Sequence, residues 1–258
     1  MALNIQKNGS NMYSGYATWN PMPGCNYGCK YCYLRSMPVN MTPRVNESCF
    51  KDNLASKNGE SLHIMVGSSG DMWSPVFASE QILRVLDYCK LYPENTYLFQ
   101  TKNPARFINF LDKFPPYTIL VTTIETDNYQ IYINYTKAPD LFERHNSFST
   151  ICKMIKDNGL SVQTMVNIEP VMEFGDIFAC WLLKIGGDIY SIGANSGNVK
   201  LIEPTPERVE ALIKALRESG KEIRLKDNLR RLLIDKTQIV GVKVEKKAPL
   251  LPMQLNLS

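Results

Sequence analysis

The chain predicts a parallel α/β fold of about six to seven strands, either a partial or full (βα) barrel or a doubly wound sheet. Three observations carry this expectation. Short β-like runs alternate with amphipathic helical runs about six times. Most of those runs are near-continuous in apolar or β-branched residues, as parallel strands covered on both faces are. Polar clusters recur just after them, where parallel folds gather their ligands. With 258 residues, 44% of them hydrophobic and 21% charged, the chain has enough apolar matter for one large domain over 1–258 and too much for disorder.

Taken in order, the candidate strands are Gly15–Asn20, Ser61–Gly67, Thr96–Thr101, Thr118–Glu125, Ser161–Glu169, Asp188–Gly193 and Glu222–Leu225. Between them, Ile82, Val85, Leu86 and Cys89 fall at helical spacing behind Ser79, a candidate N-cap. Phe107, Leu111 and Phe114 follow Asn103-Pro104, a cap and first-turn proline. Val209, Leu212, Ile213 and Leu216 follow Thr205-Pro206 and stop at Gly220, so both ends of that helix are marked. The polar clusters at strand ends are Ser68-Ser69-Gly70-Asp71, Gln100-Thr101-Lys102, Glu125-Thr126-Asp127, Asn167-Ile168-Glu169 and Gly193-Ala194-Asn195-Ser196-Gly197. Any one of these reads as a cap or turn; five at equivalent places read as one shared pocket. The core is expected over about 15–232, with 233–258 as a C-terminal extension.

No apolar run approaches the roughly 18 residues of a membrane span, and the first residues lack a basic region followed by an apolar stretch. A soluble, cytoplasmic protein is expected. Residues 206–247 hold twelve Lys/Arg against seven Asp/Glu, a local excess of five positive charges in a chain whose net charge is +4. That bias suits a polyanionic partner, and equally a solvated basic helical face.

Cysteine usage is more specific. Three of seven cysteines fall within eight residues, Cys25, Cys29 and Cys32, on a Gly/Pro-rich loop after the first strand. An odd, clustered set suits a reducing compartment and a metal site better than a disulfide framework. A C-x-x-x-C-x-x-C loop that curls at Gly24 and Gly28 lets three thiolates converge on one inorganic centre, and on a four-iron cube they leave one iron open for chemistry. Structural zinc is the competing reading; its fourth ligand would have to be Cys49, His63 or His145, since no second C-x-x-C exists. A ferredoxin-like carrier would want a fourth nearby cysteine. Cys89, Cys152 and Cys180 fall in helical patterns and read as buried small hydrophobes.

With Tyr31 just before its last cysteine, this loop resembles the signature of the radical S-adenosylmethionine (radical SAM) superfamily, whose fold is a partial or full (βα) barrel. The series WNP, GC, CxxCY, SSGDMWSP, FQTKNPARF, VTTIETDN, NIEPVMEF, SIGANSG and IRLKDN further resembles a phage-associated three-cysteine-motif radical SAM family of unknown substrate, over about 15–232. The resemblance implies that Cys25, Cys29 and Cys32 ligate a 4Fe–4S cluster whose fourth iron S-adenosylmethionine chelates. It puts Ser69, Gly70 and Asp71 at the turn that holds the amino group, with Asp71 shorter than the usual Glu. Thr123 and Glu125 would meet the ribose or amino-acid moiety, Asn167 and Glu169 the ribose and adenine side, and Ser191 and Ile192 the adenine.

The implied reaction is reductive cleavage of S-adenosylmethionine to a 5′-deoxyadenosyl radical that abstracts hydrogen from a substrate, with a flavodoxin- or ferredoxin-like one-electron donor supplied from outside. Three readings of function stay open. The first is an enzyme acting on a nucleotide or nucleic acid, motivated by the basic 206–247 region and the phage-like resemblance; a repair lyase similar to spore photoproduct lyase belongs here. The second is an enzyme acting on a small metabolite or peptide, motivated by the lack of a recognisable nucleic-acid module. The third is a non-catalytic, zinc-stabilised nucleic-acid binding protein. Lys102 and Lys226 each follow a candidate strand and, with Asn195, are the candidate substrate contacts at the barrel mouth, where an ammonium meets phosphate or carboxylate.

Overall fold

The computed structural model describes residues 3–5, 17–56, 59–197 and 199–239. Its strands are β1 (Asn4–Ile5), β2 (Ala17–Trp19), β3 (His63–Val66), β4 (Thr96–Thr101), β5 (Thr118–Thr123), β6 (Val162–Ile168), β7 (Ile189–Ile192) and β8 (Glu222–Leu225). They form one sheet in chain order, β2 to β8 all parallel and β1 antiparallel against β2. A doubly wound sheet would reverse its strand order at a switch point, so the sequential order selects the barrel. Among the described residues no ladder joins β8 to β2, which makes the barrel partial. β4 and β8 coincide with their sequence expectations; the other parallel strands are one or two residues shorter at one or both ends, and Gly15 and Tyr16 lie outside the described residues.

The helices are α1 (Ser79–Lys90), α2 (Tyr129–Tyr132), α3 (Leu141–Asp157), α4 (Phe178–Leu183) and α5 (Pro206–Glu218). α5 has Thr205 as N-cap and ends before Gly220, whose φ of +73° a side chain would resist. α1 corrects its expectation by one residue. Ala78 is the N-cap and Ser79 opens the helix, because the Gln81 side chain reaches back to accept the Ala78 N–H. Asn103-Pro104 opens a 3-10 segment (Pro104–Phe110) rather than an α-helix, and the Asn103 amide donates to the Trp73 carbonyl instead of capping. α3 was not singled out from sequence, since Glu143, Arg144, His145 and Asn146 interrupt its apolar pattern.

Alternation along the strands builds two cores. Tyr97, Phe99, Leu120, Val166, Ile168, Tyr190 and Ile192 face the helices and join the main core. The opposite parity, Leu98, Ile119, Val121, Met165 and Ile189 with Met65, packs into a separate apolar floor inside the barrel. Continuing that inward parity toward the strand C-termini brings Gln100, Thr123, Asn167 and Ser191, then Lys102, Glu125, Glu169 and Lys226. The polar strand-end clusters thus share one mouth. Leu233 and Ile239 are buried, while the apolar tail 248–258 falls outside the described residues. Among the described residues no helix is long and apolar enough to cross a membrane.

Candidate functional site

The cysteine loop is fastened at the mouth by backbone contacts. Gly24 N–H donates to Ser69 O (3.0 Å) and Asp71 N–H to Gly24 O (3.1 Å), so the loop pairs with the turn after β3. Gly24 has φ +95°, and a Cβ there would strike the Thr42–Pro43 backbone; a Cβ on Gly70 would strike Gly24. Both glycines are required by close approach. On the other flank Lys30 N–H donates to Tyr135 O (2.8 Å) and Lys137 N–H to Tyr27 O (2.9 Å). That pins residues 135–138 against the loop and brings the Thr136 hydroxyl 3.0 Å from Cys29 Sγ. Thr136 Oγ1 also accepts the Ala138 N–H (3.0 Å) and keeps its own proton free to turn toward the sulfur.

Cys25, Cys29 and Cys32 are half-buried free thiols. Burial pushes the Cys25 thiol up to about 12, with Asp71 and Cys29 adding to it; burial also raises Cys32, and Cys29 adds again. An electropositive centre between them would favour the thiolates that burial disfavours at Cys25 and Cys32.

Glu125, fully buried, organises the floor beneath the loop. It accepts the Tyr31 hydroxyl (2.5 Å), pairs with Arg144 (3.0 Å) and faces Lys102 Nζ at 3.4 Å. Burial pushes its carboxyl up, but Arg144, Lys102 and the Tyr31 hydroxyl outweigh burial and hold it below the usual carboxylate range. The buried Arg144 also donates to Thr123 O (2.5 Å) and lies over the Tyr132 ring, 4.8 Å from its centroid. Thr123 Oγ1 accepts from the Gln100 amide (3.3 Å). Asn167 and Ser191 stand opposite each other in register, and the buried Asn167 Oδ1 and Ser191 Oγ have no hydrogen-bond partner among the described residues. Glu169 binds Lys226 Nζ and Asn228 Nδ2 (2.8 Å); Asn228 Nδ2 also reaches Ala194 O and Ser196 Oγ.

Several expected contacts are turned to other work. Asp71 is buried and accepts from Trp73 N–H, Lys102 N–H and the Thr101 hydroxyl, all at 2.8–3.0 Å, so its carboxylate staples the β3 turn to the end of β4. Ile192 packs outward against the helices because Ser191 points inward, and its carbonyl accepts the Lys226 N–H. Asn195 spends its amide inside its own loop, on Val199 O and Gly197 N–H. Lys102 and Lys226 stand at the mouth as expected but are paired with Glu125 and Glu169 rather than left for an anion. Ser69 contributes backbone, its N–H donating to Asn20 Oδ1. Cys89 is buried and Cys152 half-buried, but Cys180 is exposed, because α4 turns it away from the core.

Arg144, Thr136 and Asn228 were missed from sequence. Arg144 had a usable signal: it falls at helical spacing with Leu141, Phe148 and Ile151, a charge on the core stripe of α3. Thr136 had none, since its position depends on the loop it packs against.

The donor set fits a three-thiolate cluster better than one zinc ion. Structural zinc closes its tetrahedron with four Cys or His ligands and the loop supplies three, whereas three thiolates on a four-iron cube leave one iron open. Among the described residues no three His, Cys, Asp or Glu side chains gather tightly enough for one ion. Cys49 donates its thiol to Asn20 O, and His145 Nε2 meets Trp181 O. Asn167 Oδ1 and Ser191 Oγ, buried and without a hydrogen-bond partner among the described residues, supply what the amino-acid or nucleoside part of S-adenosylmethionine would use. Outside the mouth, a groove of about 370 Å³ runs along α5 past Glu210, Lys214 and Gln238 and holds none of these groups.

The same fold occurs in radical SAM enzymes. A spore photoproduct lyase variant with bound AdoMet and dinucleoside spore photoproduct superposes with a TM-score of 0.61 at 12% identity, covering 80% of this chain and 75% of the other. A radical SAM methyltransferase from Sphaerobacter thermophilus superposes with a TM-score of 0.55 at 16% identity, covering 81% and 66%. No curated protein sequence matches the chain. A family profile described as "Protein of unknown function (DUF5131)" matches residues 10–166, more than half of the chain, and the chain belongs to that family.

Proposed function

We propose that the protein is a radical SAM enzyme of the phage-associated three-cysteine type, acting on a nucleotide or nucleic acid with electrons from an external carrier. The observation that carries the reading is the presentation of three free thiols by one loop at the mouth of a partial parallel barrel, directly above a charged, buried floor. Cys25, Cys29 and Cys32 would hold the 4Fe–4S cluster, and the Ser69–Gly70 backbone, Thr123, Asn167 and Ser191 would hold S-adenosylmethionine. Once bound, the two cofactors would supply radical chemistry for hydrogen abstraction from the substrate. The protein's own part is positional. Tyr31, Glu125 and Arg144 fix the floor under the cysteine loop, and Glu169, Lys226 and Asn228 tie the strand ends of β6 and β8 to the loop after β7. Met172, Leu201 and Tyr31 pack around Cys29 and keep water from that side. The spore photoproduct lyase structure holds a dinucleoside spore photoproduct, which supports a nucleotide-class substrate.

The test is anaerobic reconstitution followed by product analysis. About four irons and four sulfides per chain are expected, together with 5′-deoxyadenosine from S-adenosylmethionine and reductant, and more of it when the substrate class is present. Stoichiometric zinc without labile sulfide would sink the reading. Stimulation by peptides or small metabolites but not by nucleosides or oligonucleotides would replace the substrate class alone.

A further inference from the structure

Beyond Cys32 the cysteine loop runs into an outward-facing apron, residues 33–44, whose chemistry the site has not used. No Asp or Glu precedes Glu47 in the chain, whereas Lys30, Arg35 and Arg44 lie on the loop and apron. None of the three takes part in an ion pair among the described residues, unlike Lys102, Arg144 and Lys226 at the mouth. Backbone carbonyls hold the two arginines without neutralising them: Arg35 donates to Cys29 O (2.9 Å) and Gly28 O (3.3 Å), Arg44 to Asn40 O and Thr42 O (both 3.1 Å). Among these cations Tyr33, Met37 and Val39 are 41%, 48% and 40% exposed. Beside the apron a surface groove of about 120 Å³ is lined by Lys30, Cys32, Arg35, Ser36 and Val199, so a cysteine of the candidate cluster opens onto the same face.

We infer that this apron is the landing surface for an acidic one-electron carrier protein, an inference that rests on the radical SAM reading. Unpaired cations attract an acidic partner and speed its encounter. Exposed Tyr and Met interleaved with Arg are the residues enriched in protein–protein contacts, which favours a protein over a nucleic acid. The groove at Cys32 gives the electron a short route. One electron leaves the reduced carrier, which is oxidised by one equivalent, and enters the cluster held by Cys25, Cys29 and Cys32, which is reduced by one; no proton or bond is exchanged.

The experiment follows cluster bleaching in the anaerobically reconstituted protein by stopped flow, with two reductants: a reduced acidic flavodoxin and photoreduced deazariboflavin, a small uncharged donor. For the double variant Lys30→Glu/Arg44→Glu the flavodoxin rate constant should fall about tenfold or more, and the wild-type rate should fall as salt is added. Iron content, urea midpoint and the deazariboflavin rate should match wild type. An unchanged flavodoxin rate overturns the inference. So does loss of salt-dependent oligonucleotide binding in the variant with carrier reduction intact, which would give the face to nucleic acid. Absence of iron and sulfide from reconstituted wild type would overturn the enzymatic reading and this surface with it.

Discussion

Replacing Asp71 by Ala separates two roles that sequence and structure assign to it. As a direct ligand of the S-adenosylmethionine amino group, Asp71 would cost binding and little stability; as a staple, the reverse. Its removal strips the acceptors from Trp73 N–H and Lys102 N–H and from the Thr101 hydroxyl, at a site 7% exposed. The hydroxyl still accepts from Asn103 N–H (2.8 Å). Each backbone donor left buried and unpaired costs about 1–3 kcal/mol, so the variant should lose about 2–6 kcal/mol, a large share of the roughly 5–15 kcal/mol typical of a folded domain. Asp71→Asn keeps one acceptor oxygen and should lose about half as much. Urea unfolding gives both numbers from midpoint and slope. Calorimetry with S-adenosylmethionine, well below the variant's melting range, should find affinity within about threefold of wild type. An unchanged urea midpoint together with a tenfold or greater loss of affinity would refute the staple and restore Asp71 as a ligand.

Ala at Cys25, Cys29 or Cys32 should abolish iron binding in reconstituted protein, while Cys89→Ala, on the buried face of α1, should leave iron content unchanged, both read by metal analysis. Thr136→Val removes the hydroxyl beside Cys29 Sγ. A hydrogen bond worth about 0.5–1.5 kcal/mol to the more reduced state corresponds to a midpoint about 20–60 mV more negative in an EPR-monitored redox titration, with Thr136→Ser near wild type; an unmoved potential would remove Thr136 from the cluster's environment. Glu125→Gln strands the Arg144 and Lys102 charges and should cost about 3–5 kcal/mol at pH 7. Because Glu125 is held below its ordinary value, its contribution is present above about pH 4.3 and is lost as pH falls through the depressed value. The urea midpoints of wild type and variant should therefore converge in acid.

How far the sequence carried depended on whether a residue's partner was local. Periodicity and paired end signals located β4, β8 and α5 because each is specified within its own segment. The five polar clusters fall on one rim because strand ends in a parallel fold share one side. Direction within the rim was less legible. Ser191 and Ile192 are neighbours in sequence yet face opposite layers, a parity that becomes readable only once the strand limits are fixed. Asp71 and Glu125 are both acids at strand ends. One is consumed by the local Trp73 N–H and by Lys102 N–H 31 residues away, the other by Arg144 on α3, and the distant partners exist only after the strands have assembled.

The charge argument changes once the barrel is built. From sequence, Lys102 and Lys226 were the cations for an anionic substrate, backed by the basic excess over 206–247. In the structure Asp71, Glu125 and Glu169 stand beside Lys102, Arg144 and Lys226, three acids and three bases, and the pairings Glu125–Lys102, Glu125–Arg144 and Glu169–Lys226 leave the mouth close to neutral. In the basic region, Arg208, Lys214, Arg224, Arg230 and Arg231 each have a carboxylate within 4 Å. A phosphate entering the mouth would have to displace a buried carboxylate from its cation, at a cost of several kcal/mol. A neutral, hydrogen-bonding group, such as the nucleoside part of S-adenosylmethionine, would meet Asn167 Oδ1 and Ser191 Oγ without displacing anything. For a nucleotide-class substrate the paired cations favour an approach that leaves its phosphates outside the mouth. The unpaired cations Lys30, Arg35 and Arg44 lie on the loop and apron, so attraction for acidic partners and contact with the reacting group fall on two faces of the same loop.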